Sequence, residues 1–483
     1  SFQAWRLAFN ISPSARTPDE RWMWVSAGLS LLRDEGIPLN PLSFSLHQDL
    51  AWFYWVRLAT PRDDLHWYYK RRHALEWQEI LGAPPEGAPE RAVVEGFRAI
   101  ASSPRDEQVL FEEDPSLEED VAGLKEAFQG SIGELLEEAS RIQGGEAGDE
   151  GLRAWLEEPG AASRRARWID FLRARRLREE LHLDPLLMLD LMERIGPLDW
   201  RHPASHAIYW SAQGALRSHH GSRRVRLRQP QDLRLVLRQH HVQISLGILV
   251  ESGRMLREGS GKPFLWLPDP RFLEPLEDSY RAWVEEPDGG GGDGDVIPLE
   301  RVDAYAGLLG ECAVKAFLFG DSGDAARFHG RYRRLVSQVG ASTVVEADVE
   351  GFVLARLREV VDRAEDPAQG FTALLVLLFR DGVASDRPEV ASRYRDAIVG
   401  LHGEAAEGGG GSGLPPFGEL ELAALRIYLL LPPVEASPPA KARVWRRLRE
   451  GIRRSVYPQV GTYLEDQARR LGLDPAELFP PPE

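Results

Sequence analysis

Two histidines four residues apart, His202 and His206, sit in the stretch DWRHPASHAIYW, Asp199 to Trp210. Within a helix that spacing puts both imidazoles on one face, where they can chelate zinc. Pro203, however, fits best in the first turn, which places His202 at or beside the N-cap and only His206 clearly inside. A ligand at the cap points elsewhere. Pro203 also stands where hydrolytic zinc helices carry a glutamate directly after the first histidine. Trp200 before the helix and Ile208, Tyr209 and Trp210 within it predict instead a helix start docked against a neighbour by a staple-like apolar contact. The wider window supplies more imidazole, since seven of the twelve histidines (His182, His202, His206, His219, His220, His240, His241) lie between 182 and 241. A metal or haem site assembled across helices would need such a supply. Yet His219 and His220 stand beside Gly221 at a polar helix end, where cations favour the terminal carbonyls. Adjacent His240 and His241 point about 100° apart on a helix and cannot both face one site. The structural reading is preferred, with no metal and no cofactor; were it wrong, His202 and His206 would be the ligands.

Other chemistry is weaker. GSGKP, Gly259 to Pro263, lacks the glycine and the Ser/Thr of a phosphate loop and has a helix pattern rather than a strand in front, so it reads as a helix C-cap turn. PDGGGGDGD, Pro287 to Asp295, offers Asp288, Asp293 and Asp295, but without EF-hand or repeated calcium-turn spacing. With EGGGGSG, Glu407 to Gly413, it reads as a linker. No G-x-S-x-G occurs, and the single Cys312 excludes an intramolecular disulfide and any zinc site built on several thiolates. Carboxylate pairs are too common in an acidic chain for one to be singled out, so no catalytic residue is expected.

Three segments combine arginine with tryptophan or alternating apolar residues: Ser163 to Glu180, Ser222 to Arg228 and Arg443 to Arg454. Such stripes can hold RNA or an anionic partner. The net charge of −16 opposes that as a whole-molecule field. The favoured reading is that arginine stems cover apolar edges while neighbouring acidic helices pair with their heads. Only five of the 59 basic residues are lysine, a skew that reports genome composition more than a binding strategy.

The elements that must position these residues are helices. Thr17-Pro18-Asp19-Glu20 supplies an N-cap hydroxyl, a first-turn proline and an acidic third position, and Asp-Pro recurs at 114, 184, 366 and 474. Trp22, Val25, Leu29 and Leu32 follow at steps of three and four, as do Leu422, Leu425 and Leu429. RRVRLRQ, Arg223 to Gln229, is the one segment with strand-like alternation. The expected class is all-α, built of antiparallel hairpins. DDLHWYYKRRHAL from Asp63 aligns without gaps to GDAARFHGRYRRL from Gly323, each after an aromatic-rich helix.

That unit resembles the tetratricopeptide repeat (TPR), most clearly over Asn40 to Ala74, where Leu50, Ala51 and Tyr54 take the repeat's leucine, small and tyrosine positions. The turn is about two residues longer than usual, Leu65 replaces the usual alanine, and no regular 34-residue period runs through the chain. The phrases AWRLAFNIS, GPLDWRHPASHAIYW and LPDPRFLEP resemble a group of uncharacterised TPR-like helical-repeat proteins of planctomycete-type bacteria. The resemblance implies a degenerate TPR-like α-solenoid, with further hairpins or a membrane anchor ahead of Ser1, and brings no activity with it.

The expected organisation is N-terminal hairpins over 1–82, an acidic connector over 83–151, a central Arg/His-rich region over 152–286 and a C-terminal array over 297–483. The expected function is a non-enzymatic scaffold or adaptor that binds protein partners within a larger, membrane-associated assembly, because stacked hairpins leave a long concave face. Trp52, Trp55, Trp67, Tyr68, Arg164, Arg165 and Arg223 are the expected contact residues. A metal- or haem-binding protein centred on the histidines and an RNA-binding helical repeat are the alternatives. No apolar run reaches the roughly 18 residues that span a bilayer, and the opening SFQAWRLAFN, already amphipathic and without methionine, implies a start further upstream.

Overall fold

The computed structural model describes residues 1–84, 89–128, 130–145, 147–257, 264–285, 299–338, 346, 348–407, 414–432, 436–470 and 472–482. The chain is 77% helix and 2% strand, which settles the class as all-α. The capping grammar accounts for the helix starts. Thr17 forms a full capping box with Glu20, and Asp114, Asp184, Asp366 and Asp474 each accept a backbone N–H two residues on, ahead of a proline at the first helical position.

The chain divides into two compact units, residues 1–248 with 257–262 and residues 249–256 with 263–483. In the first, the helix Pro203–His220 is buried from Pro203 through Leu216 and packs against Phe44–Phe53, Tyr54–Ala59, Pro230–Leu237 and His66–Leu81. A helix buried on every side belongs to a core, whatever polar groups it carries with it. Gly214 sets its closest approach, because a Cβ there would lie 2.5 Å from the His47 Cβ. A second apolar cluster of this unit joins Leu117, Val121, Leu136 and Ala139 to Trp168, Ile169, Phe171 and Leu172, so the acidic helices pack on the arginine-rich helix Ala162–Glu179.

In the second unit the helices Leu299–Leu318 and Ser322–Gln338 form a hairpin, turned at Gly320 with φ of +92°. Phe371, Leu374, Tyr394, Tyr428, Trp445 and Leu464 belong to its continuous core. Glu277, fully buried, accepts hydrogen bonds from the Tyr305 hydroxyl and Arg331, and the equally buried Lys441 donates to Gln467 at 2.9 Å.

Among the described residues, four six-residue π-helical segments interrupt or end the α-helices, Arg6–Ile11, Leu31–Gly36, Tyr54–Ala59 and Leu378–Val383. Two of them carry an Arg-Asp dipeptide closed on itself. Arg33 reaches both oxygens of Asp34 at 2.6 and 2.9 Å, and Arg380 reaches those of Asp381 at 2.6 and 3.0 Å. Neighbouring residues of a regular α-helix do not face each other.

The strand expected at Arg223–Gln229 is absent. Its alternation is real, with Val225 and Leu227 buried, but the Leu227 N–H and the Arg226 guanidinium bind the Asp190 carboxylate instead of a partner strand. The two strands among the described residues are Arg254–Arg257 and Phe264–Leu267, which pair with each other. They flank Gly259 to Pro263, so the segment expected to follow a helix as its C-cap follows a strand; that segment and the glycine run at 287–295 lie outside the described residues, as does 408–413 of the second run. Among the described residues no helix is long and apolar enough to cross a membrane.

The close approach at Gly214 predicts that Gly214→Ala lowers the unfolding free energy by about 1–2 kcal/mol, because overpacking outweighs the usual helix gain. Gly247→Ala, with no atom within 4 Å of the added Cβ, should stabilise by about 0.5–1 kcal/mol. Denaturant titration of the two variants checks the opposite signs.

Candidate functional site

His202 is the N-cap of Pro203–His220, and its Nδ1 accepts the Ala204 N–H at 3.0 Å, as its place beside Pro203 predicts. The Ser205 hydroxyl donates to the Asp199 carbonyl at 2.7 Å and closes the turn ahead of it. His206, fully buried one turn on, donates from Nε2 to the Trp200 carbonyl at 2.7 Å, which leaves Nδ1 without a partner among the described residues. Aromatic rings surround it. The Tyr54 ring stacks at 5.0 Å, the Trp77 centroid lies at 4.2 Å, and His73 and Trp200 meet it edge-on at 4.9 and 5.7 Å.

Burial in this apolar shell works against the imidazolium. It pushes His206 down to about 3, His47 to about 4 and His66 to about 2, and holds His73 well below its ordinary range with help from the neighbouring histidines. These are neutral rings of a core.

The seven central histidines do not converge. His220 pairs with Asp232 at 2.8 Å at the far end of the helix, His241 accepts the Trp55 indole N–H at 2.9 Å, and His182 lies 4.0 Å from Asp34. Among the described residues no three His, Cys, Asp or Glu side chains are placed to hold a metal ion. The histidine that does meet His206 comes from elsewhere in the chain: His73, on the aromatic helix His66–Leu81, lies edge-on to it.

The expected contact residues divide by exposure. Trp52 is half-buried and stacks on Phe9 at 4.7 Å; Trp67 is half-buried with the Lys70 ammonium 4.4 Å from its ring; Tyr68 is half-buried and donates to Asp19. Trp55 is 8% exposed, so its surface is spent inside the chain. Arg164 and Arg165 share the Asp120 carboxylate at 2.6 and 2.7 Å, and Arg165 is buried with a further bond to Glu158. Only Arg223 of this set is exposed. The helix Ala162–Glu179 spends further arginines on Glu113, Asp170 and Glu180, so neighbouring acid takes up most of the expected basic stripe.

Beside the start of the buried helix lies a cavity of about 230 Å3, lined by Phe97, Ile100, Met192, Leu198 and Trp200, with Asp170, Arg173, Asp199 and Arg201 as its charged wall. Asp199 accepts from the Arg201 N–H at 3.0 Å and from its Nη2 at 2.7 Å. Burial works to raise the Asp199 carboxyl, but the guanidinium outweighs it and holds the group below its usual range. The second pair is less well compensated. Arg173 is 5% exposed and donates to Gln143 at 2.7 Å, Ser140 at 3.2 Å and Asp170 at 3.3 Å, yet its Nε has no partner. Burial lowers the Arg173 pKa and raises that of Asp170, so each charged form is disfavoured there. Gly82 ends the helix His66–Leu81 beside this guanidinium at φ +77°, a backbone conformation that glycine adopts without strain.

The four neutral imidazoles fix a pH dependence. Each has a folded pKa below its unfolded value of about 6.5, so its contribution is intact above that pH and is lost as pH falls. Unfolding free energy should drop by about 1.4 kcal/mol per pH unit per histidine below 6.5, and His206→Phe should remove one such increment from the slope. Chemical denaturation at pH 7, 6 and 5 measures it; equal stability at the three values contradicts the neutral core. Comparison of the chain with protein-family models, with curated proteins and with solved structures returned no match.

Proposed function

We propose that the chain is a non-enzymatic helical scaffold, a subunit that holds partner proteins in a larger assembly. In this reading its hairpins are degenerate TPR-like units of a solenoid. The observation that supports it is a set of large apolar side chains that the described residues leave uncovered at one end of the N-terminal helices. Phe2 is 66% exposed and Leu39 79%, and Trp5, Leu42 and Phe44 are exposed as well. The first helix runs up from Phe2, the second runs down to Leu39 and the third runs up from Phe44. The up-down order therefore gathers all five at the same end. The ladder Trp5–Phe9–Trp52, with ring spacings of 6.2 and 4.7 Å, extends the surface to Trp52.

Large apolar side chains grouped in this way mark an interaction site when they form one surface. A partner helix laying its apolar face across these residues is the surface that fits. The RNA reading has less support, because Arg164 and Arg165, two of the four arginines expected to carry it, share the Asp120 carboxylate at 2.6 and 2.7 Å, while the other two, Arg223 and Arg224, are exposed.

The triple variant Phe2→Ser/Leu39→Ser/Phe44→Ser tests the proposal in a pull-down from the native source, with circular dichroism as the control for folding. Burying such a side chain is worth about 1.5–3 kcal/mol, so the variant should retain its partner at least about tenfold less well at unchanged melting temperature. Equal recovery of the same stoichiometric partner by both proteins, or no such partner with the wild type, would refute it.

A further inference from the structure

We propose that the end of the buried helix Pro203–His220 and the chain that leaves it form a binding site for a phosphate monoester, held between the guanidinium groups of Arg217 and Arg223. The scaffold reading does not require such a site. Gly221 closes the helix in the left-handed conformation, with φ of 60° and ψ of 26°, and turns the chain back toward the last turn, where Arg217 stands. The Ser222 hydroxyl donates to the Arg224 carbonyl at 3.0 Å and holds the bend. Beyond it Val225 and Leu227 are buried, and Asp190 of the helix Pro185–Ile195 accepts the Leu227 N–H at 2.9 Å and the Arg226 Nε at 2.6 Å. The start of that same helix is tied to Tyr209, whose hydroxyl accepts the Asp184 N–H at 2.7 Å. Arg223 is therefore carried by a segment anchored on both sides.

Arginines elsewhere in this unit meet carboxylates, and here they do not. Among the described residues the side chains of Arg217, Arg223, Arg224 and Arg228 make no hydrogen bond or ion pair. The nearby carboxylates are engaged, Asp190 by Arg226, Asp232 by His220 at 2.8 Å and Asp184 by the Leu186 N–H at 3.0 Å. Arg217 is half-buried; its Nε is enclosed without a partner, while its Nη groups reach the surface. A stem packed in this way holds the planar fork in place. Arg223 is exposed and close enough for its charge to act on Arg217. Burial pushes the Arg217 pKa down and Arg223 adds to the effect, while Tyr209 and Asp184 offset only part of it. The terminal carbonyls of the helix contribute about half an elementary charge against the four arginines.

Charge decides the class. Two guanidinium groups without a counterion are balanced by two negative charges on one compact group. A carboxylate or a phosphodiester brings one. A phosphate monoester brings nearly two at neutral pH, on oxygens that take guanidinium hydrogen bonds in pairs.

The test is ligand-observed NMR on the full chain at low ionic strength, with phenyl phosphate as the monoester, dimethyl phosphate as a diester and benzoate as a carboxylate. Phenyl phosphate should bind with a Kd of about 1 mM or below. The two monoanions should bind at least about tenfold more weakly, as the loss of one charge-assisted hydrogen bond predicts. Arg217→Met, which keeps the packed stem, and Arg223→Ala should each weaken phenyl phosphate by a similar factor at unchanged melting temperature. Arg363→Ala, which removes an exposed charge of the second unit, should leave it unchanged. A short phosphoserine peptide separates the sources: tighter binding than phenyl phosphate assigns a phosphorylated chain, and equal or weaker binding assigns a free phosphate compound. Failure of both monoesters on the wild type, a monoanion that equals phenyl phosphate, the same loss in Arg363→Ala, or a tighter complex with a uridine oligomer that lacks terminal phosphates would overturn the assignment.

Discussion

The first unit depends on the removal of one helix from water together with its polar groups. Pro203–His220 brings His206, Ser211 and Gln213 into the interior with Tyr209 and Trp210. Each polar group must find a partner or adopt its uncharged form. Ser211 donates to Gln48 at 2.9 Å, Gln213 to the Tyr209 hydroxyl at 2.6 Å and His206 to the Trp200 carbonyl. The imidazoles complete the solution by staying neutral among aromatic rings, which contribute packing area and edge-to-face contact. This is why the residue types that suggest a metal site serve here as core.

Charge is handled in the same way across the chain. Fifty-four arginines in an acidic protein could form a basic surface, but many of them fold onto carboxylates, often within one or two turns, as Arg201 does on Asp199 and Arg380 on Asp381. Exposed pairs of this kind add little stability individually. Buried ones cost much if one partner is removed. They fix which helix faces which, Asp120 with Arg164 and Arg165 being one example and Asp190 with Arg226 another. Among the described residues of the first unit, Phe2, Leu39 and Phe44 are apolar side chains that stay exposed.

Local chemistry was legible in the sequence and non-local chemistry was not. A cap needs only residues i to i+3, so Thr17, Asp114, Asp184, Asp366, Asp474 and the capping role of His202 could be read directly. The alternation at Arg223–Gln229 reported burial correctly, but a strand needs a partner, and Asp190 took that place from 37 residues away. The π-helical segments had no local signature. His47, His66 and His73 escaped notice because the histidine density lay elsewhere, and the cavity could not be foreseen because ordinary residues from separate helices between Leu81 and Arg201 line it. Exposure divided the aromatic contact residues where composition could not, since Trp52 is half-buried and Trp55 is spent inside.

The central claim is that DWRHPASHAIYW is a structural core around a neutral imidazole. Long-range 1H–15N correlation of the His206 ring at pH 5, with and without added Zn2+, tests it most directly. The account predicts a single neutral tautomer with the proton on Nε2, unchanged by metal, because the Trp200 carbonyl holds that proton and burial keeps the pKa near about 3. An imidazolium at pH 5, or nitrogen shifts that move with zinc, would contradict it.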